Sequence, residues 1–173
     1  VFGERVRVWT PADERAAVVV PQAYLTLRYG VDFARVLDAE GKTINRFGSR
    51  GSAQGQFIKP TNLAVAEDRL YVVDEGNSRI GVFTLEGRPL MAIGKRGAGH
   101  GAFVIPKSVT VDPVGNVYVA DVRNRIQKFS PQGKFLKQWG RYGGMPGDLA
   151  EPSDVSYADG TIYVADLVNH RLQ

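Results

Sequence analysis

Gly48-Ser-Arg-Gly51-Ser-Ala-Gln-Gly55-Gln-Phe57-Ile-Lys-Pro60 decides how this chain folds, because the same pattern is written twice more. The second copy is Gly94-Lys-Arg-Gly97-Ala-Gly-His-Gly101-Ala-Phe103-Val-Ile-Pro106, and the third is Gly140-Arg-Tyr-Gly143-Gly-Met-Pro-Gly147-Asp-Leu149-Ala-Glu-Pro152. Each begins 46 residues after the one before it, with three glycines, one large apolar residue and one proline at fixed offsets. Self-similarity at such a period marks a repeat architecture.

Between the glycine loops lie four short strand signals per unit. After the first loop they are Thr61–Ala66, Leu70–Val73, Arg79–Phe83 and Pro89–Ile93. After the second they are Ser108–Val111, Val117–Ala120, Ile126–Phe129 and Phe135–Trp139. Turn clusters such as Asp112-Pro-Val-Gly-Asn116 and Pro131-Gln-Gly133 separate them. Four antiparallel strands per unit predict a β-propeller blade. Leu70–Val73 and Val117–Ala120 are apolar on both alternating faces, as sheets covered on both sides require and a half-solvated sheet does not. The expected fold is all-β: a propeller segment of about three to four four-stranded blades. The units run over 48–93, 94–139 and an incomplete 140–173, behind a lead-in strand and degenerate first blade over 1–47. Within that first part Arg5–Trp9 and Tyr24–Arg28 alternate like strands, and Ala16–Val20 is a β-branched run ended by Pro21.

The turns between second and third strands repeat as well. They read Asp74-Glu-Gly-Asn77-Ser-Arg79, Asp121-Val-Arg-Asn124-Arg125 and Asp166-Leu-Val-Asn169-His-Arg171, the middle one short of the residue between Asn and Arg. With Tyr163-Val-Ala-Asp166 and Asn169-His-Arg-Leu172, these turns resemble the NHL-repeat family of β-propellers over residues 38–173. The resemblance implies a ring most often of six blades. Its spellings are similar to those of bacterial, often exported, members, which implies an extracytoplasmic location. Fold alone does not assign an activity.

A repeated Asp-Asn-Arg set is expected to be scaffold, since a catalytic set occurs once. The Asp and Asn should accept backbone N–H groups, and the Arg should pair with the Asp of its own or a neighbouring blade, Arg79 with Asp121 for instance. The loop glycines Gly48, Gly51, Gly55, Gly94, Gly97, Gly101, Gly140, Gly143 and Gly147 let a connection cross from one blade to the next, with positive φ expected at Gly97 and Gly143. A phosphate cradle needs a helix behind it, and here a proline and a strand follow. Phe57, Phe103 and Leu149 are expected to plug the gaps between blades.

His100 and His170 are the only histidines and cysteine is absent, so neither a His-rich zinc site nor a thiolate site can be assembled. No apolar run approaches the roughly 20 residues that span a bilayer. No cofactor, metal or catalytic residue is expected in these blades. The crossover loops and second-to-third turns share one face and sum to a net charge of +3, against −3 for the opposite turns. Arg125 adds to the positive charge of that face, and Arg50, Lys59, Lys95, Arg96, Arg123, Arg141 and Tyr142 make it the candidate binding surface. A binding or scaffold module for a protein or other macromolecule is the leading expectation. Nucleic acid is the alternative, though Tyr142 is the one aromatic among the basic loop residues. A propeller enzyme with its site in other blades is a further alternative.

The chain opens at Val1 and reaches Gln173 one residue into a third strand, while six such units need roughly 276 residues. It is therefore expected to be a segment of a longer protein, or to dock against chains that cover its outer blade faces. An apolar residue near position 175 and a further glycine loop are expected to follow.

Overall fold

The structure is a computed structural model describing residues 18–21, 33–37, 40 and 42–173. The strand patterns at Arg5–Trp9 and Tyr24–Arg28 lie outside the described residues.

Fourteen strands among the described residues form four antiparallel sheets that follow one another along the chain. The first sheet is β1 (Val18–Pro21), β2 (Ala34–Leu37) and β3 (Thr43–Phe47). The second is β4 (Pro60–Ala66), β5 (Arg69–Asp74), β6 (Arg79–Thr84) and β7 (Pro89–Ile93). The third is β8 (Pro106–Val111), β9 (Val117–Asp121), β10 (Arg125–Phe129) and β11 (Phe135–Trp139). The fourth is β12 (Pro152–Ala158), β13 (Thr161–Asp166) and β14 (Arg171–Leu172). Every strand read from the two complete repeats is present, within two residues at each end. Each sheet is a simple meander in which consecutive strands pair, which is the blade of a β-propeller.

The loop proline has a definite job in this arrangement. Pro60, Pro106 and Pro152 each open an inner strand, and the ladder is bulged directly after each of them. A proline has no N–H to give a ladder, so the first position of a strand or a bulge is where it is tolerated.

Three apolar clusters lie between successive sheets. Ala34 and Val36 of the first sheet pack with Phe57, Leu63, Leu70, Val72 and Phe83. Val73, Ile80, Ile93, Phe103, Val109 and Phe129 join the second sheet to the third. Ala120, Ile126, Leu149, Val155 and Val164 join the third to the fourth. The plugs are buried at equivalent junctions, with Phe57 5.3 Å from Phe83 and Phe103 5.6 Å from Phe129 between ring centres, both tilted. Burying one such ring contributes about 1.5–3 kcal/mol.

The inner strands β4, β8 and β12 are stitched by side chains. Asn62 Oδ1 accepts the Val109 N–H at 3.2 Å, and Ser108 Oγ accepts the Val155 N–H at 3.3 Å. Thr110 Oγ1 accepts the Tyr157 N–H at 3.2 Å. An inner strand has no sheet partner on its second edge, so these side chains satisfy backbone donors that would otherwise be left unpaired.

Candidate binding face

Each glycine loop folds back on itself before entering its blade. The Phe103 N–H donates to the Lys95 carbonyl at 2.8 Å, and the Gly97 N–H donates to the Phe103 carbonyl at 2.9 Å. Phe57 N–H to Ser49 (2.9 Å) and Leu149 N–H to Arg141 (2.8 Å) repeat the first bond. Parallel bridges pair Arg50 with Phe57, Arg96 with Phe103 and Tyr142 with Leu149. The apolar residue goes down between blades, and the exposed partner at position 50, 96 or 142 stays on the outer side. A Cβ at Gly94 would sit 2.2 Å from the Phe103 ring at φ +82, so that glycine serves both the turn and the plug.

Beneath each loop sits an Asp–Arg clamp. Asp121 accepts the N–H groups of Val104 (3.2 Å) and Ile105 (3.1 Å) and pairs with Arg125 through Nε and Nη2 at 3.2 and 3.0 Å. Arg125 in turn donates to the carbonyls of Ala98 (2.9 Å) and Ala102 (2.8 Å). Arg79 bonds Asp74 at 3.0 Å together with the carbonyls of Ser52, Ala53 and Gln56. Arg171 bonds Asp166 at 2.8 Å together with Gly144, Met145 and Asp148. Every Arg therefore pairs with the Asp of its own blade, and Arg79 is not the partner of Asp121. A guanidinium presents its donors in a fixed fork, which suits gathering several loop carbonyls at once.

The asparagines do not play one role. Asn77 donates to Asp74 at 2.7 Å and to the Gly51 carbonyl at 3.0 Å, and Asn169 donates to Asp166 and Gly143, both at 2.9 Å. Asn124 instead accepts the Glu151 N–H of the next loop at 2.9 Å. Its φ of +59 matches Ser78 (+56) and His170 (+51), so Asn124 fills the left-handed position just before the Arg. The residue missing from the middle turn is thus the capping Asn. Gly143 also departs from expectation: Gly97 has positive φ (+156), whereas Gly143 does not. A Cβ there would meet the Asp148 carboxylate at 2.3 Å, so close approach rather than torsion accounts for that glycine.

Burial lifts the Asp74 carboxyl above the ordinary carboxylate value, against the bonds from Asn77, the Ile58 N–H and Arg79. Burial acts in the same direction on Asp166, but Asn169, the Ala150 N–H and Arg171 outweigh it and hold that carboxyl below the usual range. Arg141 likewise holds Asp148 low.

The basic residues divide. Arg125 is buried in its clamp and leaves the surface. Lys59 and Lys107 both reach Glu75, which is nearly buried between them, Lys107 at 3.1 Å. Arg141 is held by Asp148 at 2.7 Å, and Arg96 donates to the Gly76 carbonyl at 2.9 Å. Arg50, Lys95 and Arg123 are exposed, and among the described residues Lys95 and Arg123 meet no carboxylate. The exposed large residues Tyr142 and Met145 share the third loop. Glu75, Lys107 and Met145 escaped the sequence reading, although Met145 occupies the position of Ala53 and Gly99 and the repeat alone exposes that exchange. Among the described residues no three His, Cys, Asp or Glu side chains cluster as a metal site, and no helix is long and apolar enough to cross a membrane.

A family profile described as a 6-bladed beta-propeller matches residues 52–142, just over half of the chain. The chain belongs to the 6-bladed beta-propeller family. An NHL-repeat profile matches residues 149–173 of this propeller. Among curated proteins none matches. Solved structures that resemble it include a streptogramin B lyase, at 15% identity and a TM-score of 0.66, over 98% of this chain and 53% of that one. Virginiamycin B lyase from Staphylococcus aureus aligns at 15% identity and a TM-score of 0.62, over 89% of this chain and 46% of its own. The computationally designed Ika4 protein aligns at 10% identity and a TM-score of 0.60, over 94% and 84%. This propeller spans about half the length of the lyases it matches. At these identities the likeness is one of fold.

Proposed function

We propose that these blades act as a binding module whose crossover-loop face receives an acidic protein partner. The observation that carries this reading is the division of labour among the charged residues. Asp74, Asp121 and Asp166 with their arginines are consumed in holding the loops, while Lys95 and Arg123 stand exposed without carboxylate partners among the described residues. Rigid loops that display unpaired cations suit electrostatic recognition, which sets specificity and association rate more than raw affinity.

Fluorescence anisotropy with a labelled glutamate-rich peptide tests it. Binding should appear at low salt and be abolished in the Lys95→Glu/Arg96→Glu/Arg123→Glu variant. Equal binding by that variant would sink the reading. A 20-nucleotide oligouridylate serves as the second probe, and tighter, steeply salt-dependent binding to it would move the assignment to RNA. The likeness to streptogramin and virginiamycin lyases supplies the enzymatic alternative. Turnover of virginiamycin B by the chain would establish that alternative and remove the purely binding role.

A further inference from the structure

The repeat provides its own control for what is special on this face. The crossover loops place Arg50, Arg96 and Tyr142 at one equivalent position, and Ala53, Gly99 and Met145 at another. The third loop has therefore exchanged a cation for an aromatic ring and a small residue for a thioether. Both side chains are turned to solvent, Tyr142 at 78% and Met145 at 68% of full exposure. Their exposure belongs to the position itself, because Arg96 and Gly99 are also exposed in a loop that has sheets on both sides. Neither residue is needed for the fold, since the other loops form without them.

The backbone beneath the pair is fixed. The Met145 N–H donates to Asp148 at 3.2 Å, the Met145 carbonyl accepts from Arg171 at 2.9 Å, and the Gly143 carbonyl accepts from Asn169 at 2.9 Å. A loop whose backbone is ordered in advance loses little main-chain freedom on binding. Aromatic and methionine side chains are enriched in interface cores, and arginine joins them there. Arg141 beside Tyr142 is tethered to Asp148 through Nε, yet its side chain remains 82% exposed, and Arg123, which meets no carboxylate among the described residues, adds a second exposed guanidinium on the adjoining turn.

Resting on the acidic-partner reading above, we infer that Tyr142 and Met145 form the affinity-determining spot of the face, and that the partner is a protein segment placing an apolar side chain on them with carboxylates on either side for Arg123 and Arg141. An RNA strand fits less well, because Met145 offers no ring on which a second base could stack.

The test pans a phage-displayed library of random 12-residue peptides on the immobilised chain and measures the winners by anisotropy against three variants. Winners should carry an aromatic or aliphatic residue flanked by Asp or Glu. They should lose about 10-fold or more in affinity for Tyr142→Ser/Met145→Ser and bind Val114→Ser/Leu136→Ser, altered away from this face, as they bind the unaltered chain. Winners that ignore Tyr142→Ser/Met145→Ser but are lost on Lys95→Glu/Arg96→Glu/Arg123→Glu would overturn this inference and leave the acidic-partner reading standing. Winners indifferent to both variants would overturn both, and melting curves matching the unaltered chain exclude unfolding as the cause of any loss.

Discussion

The second and third blades differ by one residue at the same turn, and the difference separates what the turn needs from what it can spare. Asp74 to Arg79 has a single 3-10 turn over Glu75–Asn77, an Asn that caps the Asp, and Ser78 in the left-handed position. Asp121 to Arg125 has lost the capping Asn, yet Asp121 still takes two loop N–H groups and its Arg. The carboxylate replaces the lost Asn bond with a second backbone donor and a second guanidinium N–H. The Asp–Arg clamp is therefore the essential unit, and the capping Asn is an accessory that blade three does without.

Removing the clamp should produce the largest effect. Asp121→Ala strands a nearly buried guanidinium, and breaking a buried pair from one side costs about 3–5 kcal/mol. Asp166→Ala, whose Arg171 is more open to water, should cost less, about 1–3 kcal/mol. Urea denaturation of the two variants gives the comparison directly, and equal midpoint shifts would show that burial of the Arg does not matter. Mutating Arg79 should leave the cost of Asp121→Ala unchanged, because the two belong to different clamps.

The glycines come next. Gly140→Ala forces a Cβ to within 2.7 Å of the Asn124 carbonyl at φ +91, whereas Gly147→Ala at φ +85 meets no atom within 4 Å. Both should carry the left-handed penalty of about 1–2 kcal/mol, and Gly140→Ala should exceed Gly147→Ala in a melting experiment. Gly143→Ala is the telling third member. It has no torsional reason to fail, so most of its cost should disappear when Asp148 is shortened to Ala in the same chain, leaving only a 3.1 Å approach between the two Cβ atoms.

Much of this was readable in the repeat. Pro60, Pro106 and Pro152 marked the inner strands and Phe57, Phe103 and Leu149 marked the plugs, because spacing alone reports them. The place of Asn124 was not readable: a five-residue turn aligns with a six-residue one in more than one way, and only backbone torsion shows which residue is missing. Nor could the basic face be counted correctly from charge. Lys59 is answered by Glu75, a residue of another segment, and Arg141 by Asp148, seven positions along, and a net charge that counts both partners does not say which cations meet them.

Smaller effects should separate the asparagines. Asn77→Ala removes two bonds from a half-buried clamp and should cost about 1 kcal/mol, whereas Asn124→Ala gives up one exposed bond and should cost about 0.5 kcal/mol. Equal losses in chemical denaturation would return Asn124 to the capping role.

The smallest effect is on pH. The depressed Asp166 carboxyl contributes stability that is present above the unfolded value near about 4 and is lost as pH falls through its folded value. The raised Asp74 carboxyl works oppositely: its contribution is complete below about 4 and is lost as pH rises through its folded value. Asp166→Asn should therefore flatten the acid limb of a stability–pH curve, and Asp74→Asn should steepen it. Parallel limbs would show that the two clamps ionise alike.

The backbone amides in the stitching of the inner strands all point one way, although the Ser108 hydroxyl also donates forward to Asp154. Asn62 serves Val109, Ser108 serves Val155 and Thr110 serves Tyr157, so in each case the earlier blade holds out the acceptor and the later one brings the amide. A ribosome releases the chain in that same order. Each newly finished blade thus stands as a primed template at the growing end, with its oxygens already set for an inner strand that has yet to emerge.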